Sequence, residues 1–300
     1  MDRHDEKGDR LVRLRELFGR VRPFGAAVGA LLVVAAIALV ISRASTLGDA
    51  WKAMGSASPL VITAMVAAMA GSVALTGLTF WILTRRYGRV SHWEMQALMS
   101  ATAVANYLPL RPGLVARVVY HSSRNGIRAR DSLRTIVEAM ALSVIALSLL
   151  VPSLMVAHQW AMPIGIAVAL PALLAIPTLA SARSRPLGTA FLVRFGETLL
   201  TTIRYDLAFR LVGAPLPWHV AAAIACVSMV STMVPFVSNG LGLREWTIGL
   251  MAPLLADVSL ERGLVAELVH RAIEVVVIVP AGLWGSAWLW RRMKRDLNST

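Results

Sequence analysis

Two long apolar stretches of this chain are each broken by residues that a helix in lipid normally avoids. The first break reads Asn106-Tyr107-Leu108-Pro109-Leu110-Arg111-Pro112-Gly113. The second reads Pro235-Phe236-Val237-Ser238-Asn239-Gly240-Leu241-Gly242-Leu243-Arg244-Glu245. In hydrocarbon an unsatisfied N–H or C=O is costly, so broken backbone survives only inside protein or beside a water-filled cavity. Paired Gly/Pro interruptions in the two halves of a membrane chain point to a binding site near the bilayer midplane.

The runs around these breaks set the class. Hydrophobic residues make up 57% of the chain and charged residues only 16%, where a soluble domain carries about 25% charged. This is the balance of an all-α membrane protein with several crossings. The net charge of +13 does not point to nucleic acid. Lys and Arg sit in blocks beside apolar runs, which is the positive-inside pattern and not a basic face. Cys226 is the single cysteine, so no internal disulfide and no cysteine metal site is expected. No P-loop, GxGxxG, GxSxG or HExxH pattern occurs. No cofactor, metal or nucleic-acid partner is expected.

The order of runs and charges predicts a layout. Residues 1–23 read as a basic cytoplasmic tail, 24–290 as one polytopic membrane domain and 291–300 as a second basic tail. Full spans are expected at Phe24–Ile41, Pro59–Leu83, Ser132–Ala157, Pro163–Ala180, Trp218–Val234 and Leu264–Trp290. Pro171 and Pro177 would kink the fourth. Trp93–Leu108 is short for a span and basic on both flanks, so it reads as a re-entrant half-helix. Trp246–Leu255, after the second break, is also too short to cross. Leu187–Val212 carries Arg194, Glu197, Arg204, Asp206 and Arg210, and reads as an amphipathic helix lying at the interface. Six spans, two re-entrant hairpins and one interfacial helix follow, with both termini cytoplasmic. Such a chain belongs in a cell inner membrane.

The candidate site residues lie in and near the breaks. Pro109 and Pro112 withhold N–H groups, and Gly113 permits a tight turn. Asn106 precedes that turn, and Arg111 and Arg117 follow. A guanidinium fork matches the oxygens of a phosphate, although headgroup anchoring is the plainer role for an arginine there. In the second break Asn239, Gly240 and Gly242 form a flexible turn before Arg244 and Glu245, at a helix start that favours anions. Glu138 sits near the start of the third span. Glu267, Arg271 and Glu274 are spaced i, i+4 and i, i+7 along the last span, so they share a face. An ion-pair ladder that fixes helix packing is the rival reading. His270 reads as a packing residue.

At these positions the chain resembles the lysylphosphatidylglycerol synthase transmembrane-region family, a flippase-like family of integral membrane proteins. The marks are Asn106 to Gly113 followed by Arg117, Thr135-Ile136-Val137-Glu138, Pro235 with Gly240 to Glu245, and Arg271. The sequence departs from the family pattern at Leu114, where a Glu is usual, at Ala139, where an Arg is usual, and at Ser238-Asn239. It resembles a divergent member without the soluble aminoacyl-transfer domain. The resemblance implies movement of a phospholipid or polyprenyl-phosphate-linked lipid between leaflets.

The expected function is therefore an inner-membrane lipid translocase for an anionic, aminoacylated or polyprenyl-phosphate-linked lipid. No catalytic constellation is visible, so a transporter is expected before an enzyme. The alternatives are a membrane-embedded lipid-phosphate transferase or hydrolase, and a non-catalytic subunit that docks a glycosyltransferase or synthase. Membrane lipids are the expected partners, with a homo-oligomer or a lipid-modifying enzyme as further ones.

Overall fold

A computed structural model describes Lys52, Gly55 and residues 58–107, 111–182, 184–233, 240 and 242–298. The expected tail at 1–23, the span at Phe24–Ile41, Pro109 and Asn239 lie outside the described residues. Among the described residues the chain is all-α. Its helices are α1 (Pro59–Thr84), α2 (His92–Ala105), α3 (Pro112–Arg124), α4 (Ala129–Gln159), α5 (Ile164–Leu173), α6 (Ile176–Ala180), α7 (Arg185–Leu211), α8 (Trp218–Met233), α9 (Leu243–Leu255) and α10 (Leu260–Asn298). Local signals place several starts. The Ser58 side chain caps α1 and Pro59 fills its first turn, where no N–H is needed. Ser91 caps α2 by accepting from the Glu94 N–H.

Side-chain clusters fix how the helices run. The end of α1 and the starts of α2, α4 and α7 meet through Phe80, Leu83, Val90, Met95, Ile127, Ala139 and Ala190. The end of α10 joins them, with Leu289 against Ala97 and Leu98. The other end of the bundle gathers Met65 of α1 with Ala208 and Leu211 of α7. It also gathers the start of α8, the end of α9 and the start of α10 around Val220, Ala252 and Leu264. The rings of His158, ending α4, and His219, starting α8, lie 4.2 Å apart there. The two ends differ in charge. Loops 85–91 and 125–128 hold Arg85, Arg86, Arg89 and Arg128, and α10 closes on Arg291, Arg292, Lys294 and Arg295. Loops 160–163, 213–217 and 256–259 hold no Lys or Arg.

One order of elements therefore occurs twice. A long helix, a helical hairpin and a second long helix appear as α1, α2–α3, α4 and again as α7, α8–α9, α10. The first hairpin enters from the basic end and the second from the opposite end. The helices flanking them run in opposite directions, and α7 packs antiparallel along α1. Helices α5 and α6 connect the two sets.

Three expectations change. Leu187–Val212 is not an interfacial helix. Helix α7 is central, packed on α1, α4, α8 and α10, and it buries Arg194, Glu197, Arg204 and Asp206. Its charges occupy two faces. Arg194, Glu197, Thr201 and Arg204 fall within roughly a quarter of the helix circumference at 3.6 residues per turn, while Asp206 and Arg210 lie elsewhere. An interfacial helix needs one polar face. Trp218–Val234 is not a full span, because α8 has 16 residues and α9 turns back beside it. Pro163–Ala180 is broken, not merely kinked, since Pro177 starts the separate short helix α6 and cannot donate the N–H that would continue α5.

Among the described residues α1 and α4 are the two helices long and apolar enough to cross a membrane. Helices α7 and α10 are longer than 25 residues but carry buried charge. The seam between α2 and α10 is close. A Cβ on Gly285 would lie 2.3 Å from the Ala97 carbonyl oxygen, while one on Gly165 would meet nothing within 4 Å. Gly285→Ala is expected to cost about 1–3 kcal/mol through that overpacking, with Gly165→Ala close to neutral. Thermal unfolding of the two purified variants checks this, and equal melting temperatures would refute the seam.

Candidate functional site

The tips of the two hairpins meet inside the bundle. Helix α2 ends at Asn106 and α3 begins after Arg111, whose φ of 49° places it in the left-handed region. A non-glycine residue held there costs roughly 1–3 kcal/mol. The Arg111 guanidinium donates to the Thr232 carbonyl at the end of α8, so one tip is tied to the other. Gly113 lets α3 lie against α2, since a Cβ there would sit 2.2 Å from the Thr102 carbonyl oxygen. In the second tip Gly240 and Gly242 adopt φ values of 70° and 78°, which only glycine accepts without strain. Both α3 and α9 present their N-terminal, partially positive ends to this region.

An ion network holds the second tip to α10. Arg244 bonds both Glu267 and Glu274, the latter at 2.8 Å. Arg271 bonds Glu245 at 2.9 Å. The Tyr107 hydroxyl, from the first tip, donates to Glu274 at 2.6 Å. The Tyr205 hydroxyl reaches Glu267 at 2.9 Å and Ser228 at 2.6 Å. His270 stacks on Tyr205 with ring centroids 4.4 Å apart, and its Nδ1 is 3.4 Å from Arg244. The acids of α10 therefore reach across to Arg244 on α9, and the hairpin is clamped by charge-assisted bonds.

Beside this network lies a cavity of about 350 Å³ lined by α1, α2, α3, α4, α7, α8, α9 and α10. Five arginines line it, namely Arg111, Arg117, Arg194, Arg204 and Arg244, against two glutamates, Glu197 and Glu274. Counting Glu267, which Arg244 also holds, the arginines still exceed the acids by two (5 − 3). Arg194 is paired with Glu197. Arg117 instead lies over the Phe80 ring at 4.0 Å and contacts the Met99 sulfur at 3.1 Å. Arg204 contacts the Met69 sulfur and the Thr201 hydroxyl. Neither has a carboxylate partner among the described residues, and the Nε of each has no hydrogen-bond partner. Met140 is the one exposed residue of the wall, at 40%, so the cavity reaches the lateral surface of the bundle at α4.

Of the residues expected at a site, Asn106, Arg111, Arg117, Arg244 and Glu274 line this cavity. Gly113, Gly240 and Gly242 shape the tips. Glu245 and Arg271 form the pair that braces Arg244 and Glu274 without lining the cavity. Glu138 does not belong to the site. It bonds Arg86 and Arg134 near the basic end, because its place about two and a half turns into α4 puts it beside the end of α1. Arg194, Glu197 and Arg204 were missed as site residues. Their spacing of three and seven on a stretch otherwise rich in Leu, Phe and Thr was the available signal. His270 lines the cavity as well as packing.

Replacing Arg244 leaves two buried carboxylates facing each other. Arg244→Met is expected to destabilise the protein by about 3–5 kcal/mol. Arg244→Met combined with Glu267→Gln and Glu274→Gln should recover a large part of that loss. Unfolding measurements on the single and triple variants test the clamp, and no recovery in the triple variant would count against it.

The chain matches no protein-family model, no curated protein and no solved structure with which it was compared.

Proposed function

We propose that the protein is a membrane-embedded translocase for an anionic amphiphile, a lipid whose headgroup carries phosphate. The observation that carries this reading is the arginine-lined cavity where two half-length hairpins, entering from opposite ends, meet. Guanidinium groups are costly to remove from water unless an anion or acid faces them. A cavity with more arginines than acids is suited to an anion.

A bilayer accounts for the outer surface. Leu60, Val137, Val144, Ile145, Met155, Val156, Leu173 and Leu283 are all more than 40% exposed. Exposed apolar area on that scale marks contact with lipid or protein. Among the described residues the crossings are then α1, α4, the broken pair α5–α6, α7 and α10, with α2–α3 and α8–α9 as re-entrant hairpins. The basic end faces the cytoplasm by the positive-inside rule. Two sets of elements in opposite orientation, with broken helices at mid-depth, are a recurring basis of alternating access. The lateral opening at Met140 lets acyl chains stay in lipid while the headgroup enters. The resemblance of the two breaks to the lysylphosphatidylglycerol synthase transmembrane-region family supports the same substrate class.

Reconstituted in liposomes, the protein should speed leaflet exchange of a fluorescent anionic phospholipid over protein-free vesicles. Arg111→Gln should slow it roughly tenfold or more, the loss of a charge-assisted bond. No acceleration for anionic lipid, or faster exchange of a zwitterionic one, would overturn the reading. The path of α7 has its own check. With Cys226→Ser as background, Ser181→Cys and Pro215→Cys should react with an impermeant maleimide from opposite membrane faces. Labelling from one face would exclude α7 as a crossing.

A further inference from the structure

We infer that the cavity contains two phosphate stations at different depths, one built on Arg117 and one on Arg204. This rests on the translocase reading and names the chemistry of its path. Both side chains are buried, at 3% and 7% exposure, and both line the cavity. Their resting contacts are poor ones for a cation. Arg117 rests on the Met99 sulfur and the Phe80 ring, and Arg204 on the Met69 sulfur and the Thr201 hydroxyl. A thioether is a weak acceptor, while phosphate oxygens form strong, forked, charge-assisted bonds with a guanidinium. The Nε of each arginine is unbonded, so each retains donor capacity for an oxygen.

Helix α1 measures the separation. Phe80, under Arg117, and Met69, against Arg204, are eleven residues apart. That is about three turns on one helix face, or roughly 16 Å along the axis. Ser72, Val73 and Thr76 line the cavity between them. At that intermediate depth Thr76 donates to Glu197, which is paired with Arg194. An anion moving between the two arginines thus passes a neutralised pair at that depth. The acids whose field reaches Arg204, Glu197 and Glu274, are engaged by Arg194 and Arg244. The charge facing Arg117 is a further arginine, Arg194. Both positions thus favour an anionic group over an ammonium.

Binding stoichiometry tests this on the full chain in detergent, by calorimetry with short-chain phosphatidic acid and with inorganic phosphate as separate titrants. The wild type should take up about two equivalents of phosphate groups, one per guanidinium fork. Arg117→Gln and Arg204→Gln should each leave about one and the double variant none, while Arg130→Gln, exposed on α4, retains both. One equivalent in the wild type, or loss of all binding in either single variant, overturns the proposal. If the Gln variants fail to fold, Arg117→Lys and Arg204→Lys keep the charge without the fork. Each should weaken one site roughly tenfold, and unchanged affinity at both sites overturns the proposal. Filling by phosphatidic acid alone makes the ligand a lipid. Equal filling by inorganic phosphate makes it the free anion, and no binding of either overturns the stations. Two-site binding without leaflet exchange would refute translocation and leave the stations standing. Leaflet exchange with a single site would do the reverse.

Discussion

A guanidinium taken out of water must meet an acid, a strong acceptor or a ligand. That constraint organises this bundle. Arg244 meets Glu267 and Glu274, Arg271 meets Glu245, and Arg194 meets Glu197. Each of these pairs joins or stiffens elements that would otherwise present broken backbone or isolated charge to the interior. The second hairpin is held because its first turn carries Arg244 and Glu245, which find complementary groups on α10. The base of the first hairpin follows the same rule at the basic end. Buried Glu94 accepts from Tyr120 at 3.0 Å and from Asn125 at 3.0 Å, and pairs with Arg292 at 3.2 Å. One carboxylate thus ties α2 to α3 and to α10.

The first hairpin is thus anchored at its base and the second at its tip, and both tips are polar. The first tip spends a strained backbone at Arg111 and gains a bond to the opposing tip. The second spends two left-handed glycines and gains the Arg244 clamp. The first tip reaches the second through Arg111 to Thr232, and reaches α10 through Tyr107 to Glu274. Both links are side-chain hydrogen bonds that join the first hairpin to elements entering from the opposite end. They are cheap to exchange compared with the ion pairs behind them, so relative movement of the two sets of helices would pass through the tips first.

The all-helical class, the short helices at the breaks and the cluster of Arg111, Arg117, Arg244 and Glu274 were legible in the sequence. Gly/Pro interruptions beside charge are local signals, and the residues flanking them stay together in space. Glu138 misled because sequence position beside a family-like motif says nothing of which neighbour a helix turns toward, and Arg86 was that neighbour. Helix α7 misled more deeply. Its charge density reads as surface until the partners are known, since burial of Arg194 and Arg204 depends on Glu197, on Met69 and on a cavity contributed by other helices. Its two separated polar faces were the trace left in the sequence. The same limit applied to α8, where a mostly apolar run of 16 residues passes for a span unless the returning helix is seen.

The division between paired and unpaired arginines separates framework from working parts. A salt bridge inside the bundle resists replacement because removing one partner strands the other. Arg244 and Arg271 are in that position, and a ligand would have to compete with acids already in contact. Arg117 and Arg204 are not. Their resting contacts are thioethers, an aromatic face and a hydroxyl, which an incoming anion outbids while the framework stays intact. A ligand that binds such groups stabilises the folded state by mass action, yet leaves the clamp that positions the hairpins untouched. On the proposed function the cavity thereby separates holding the fold from holding the ligand, although both use the same kind of side chain.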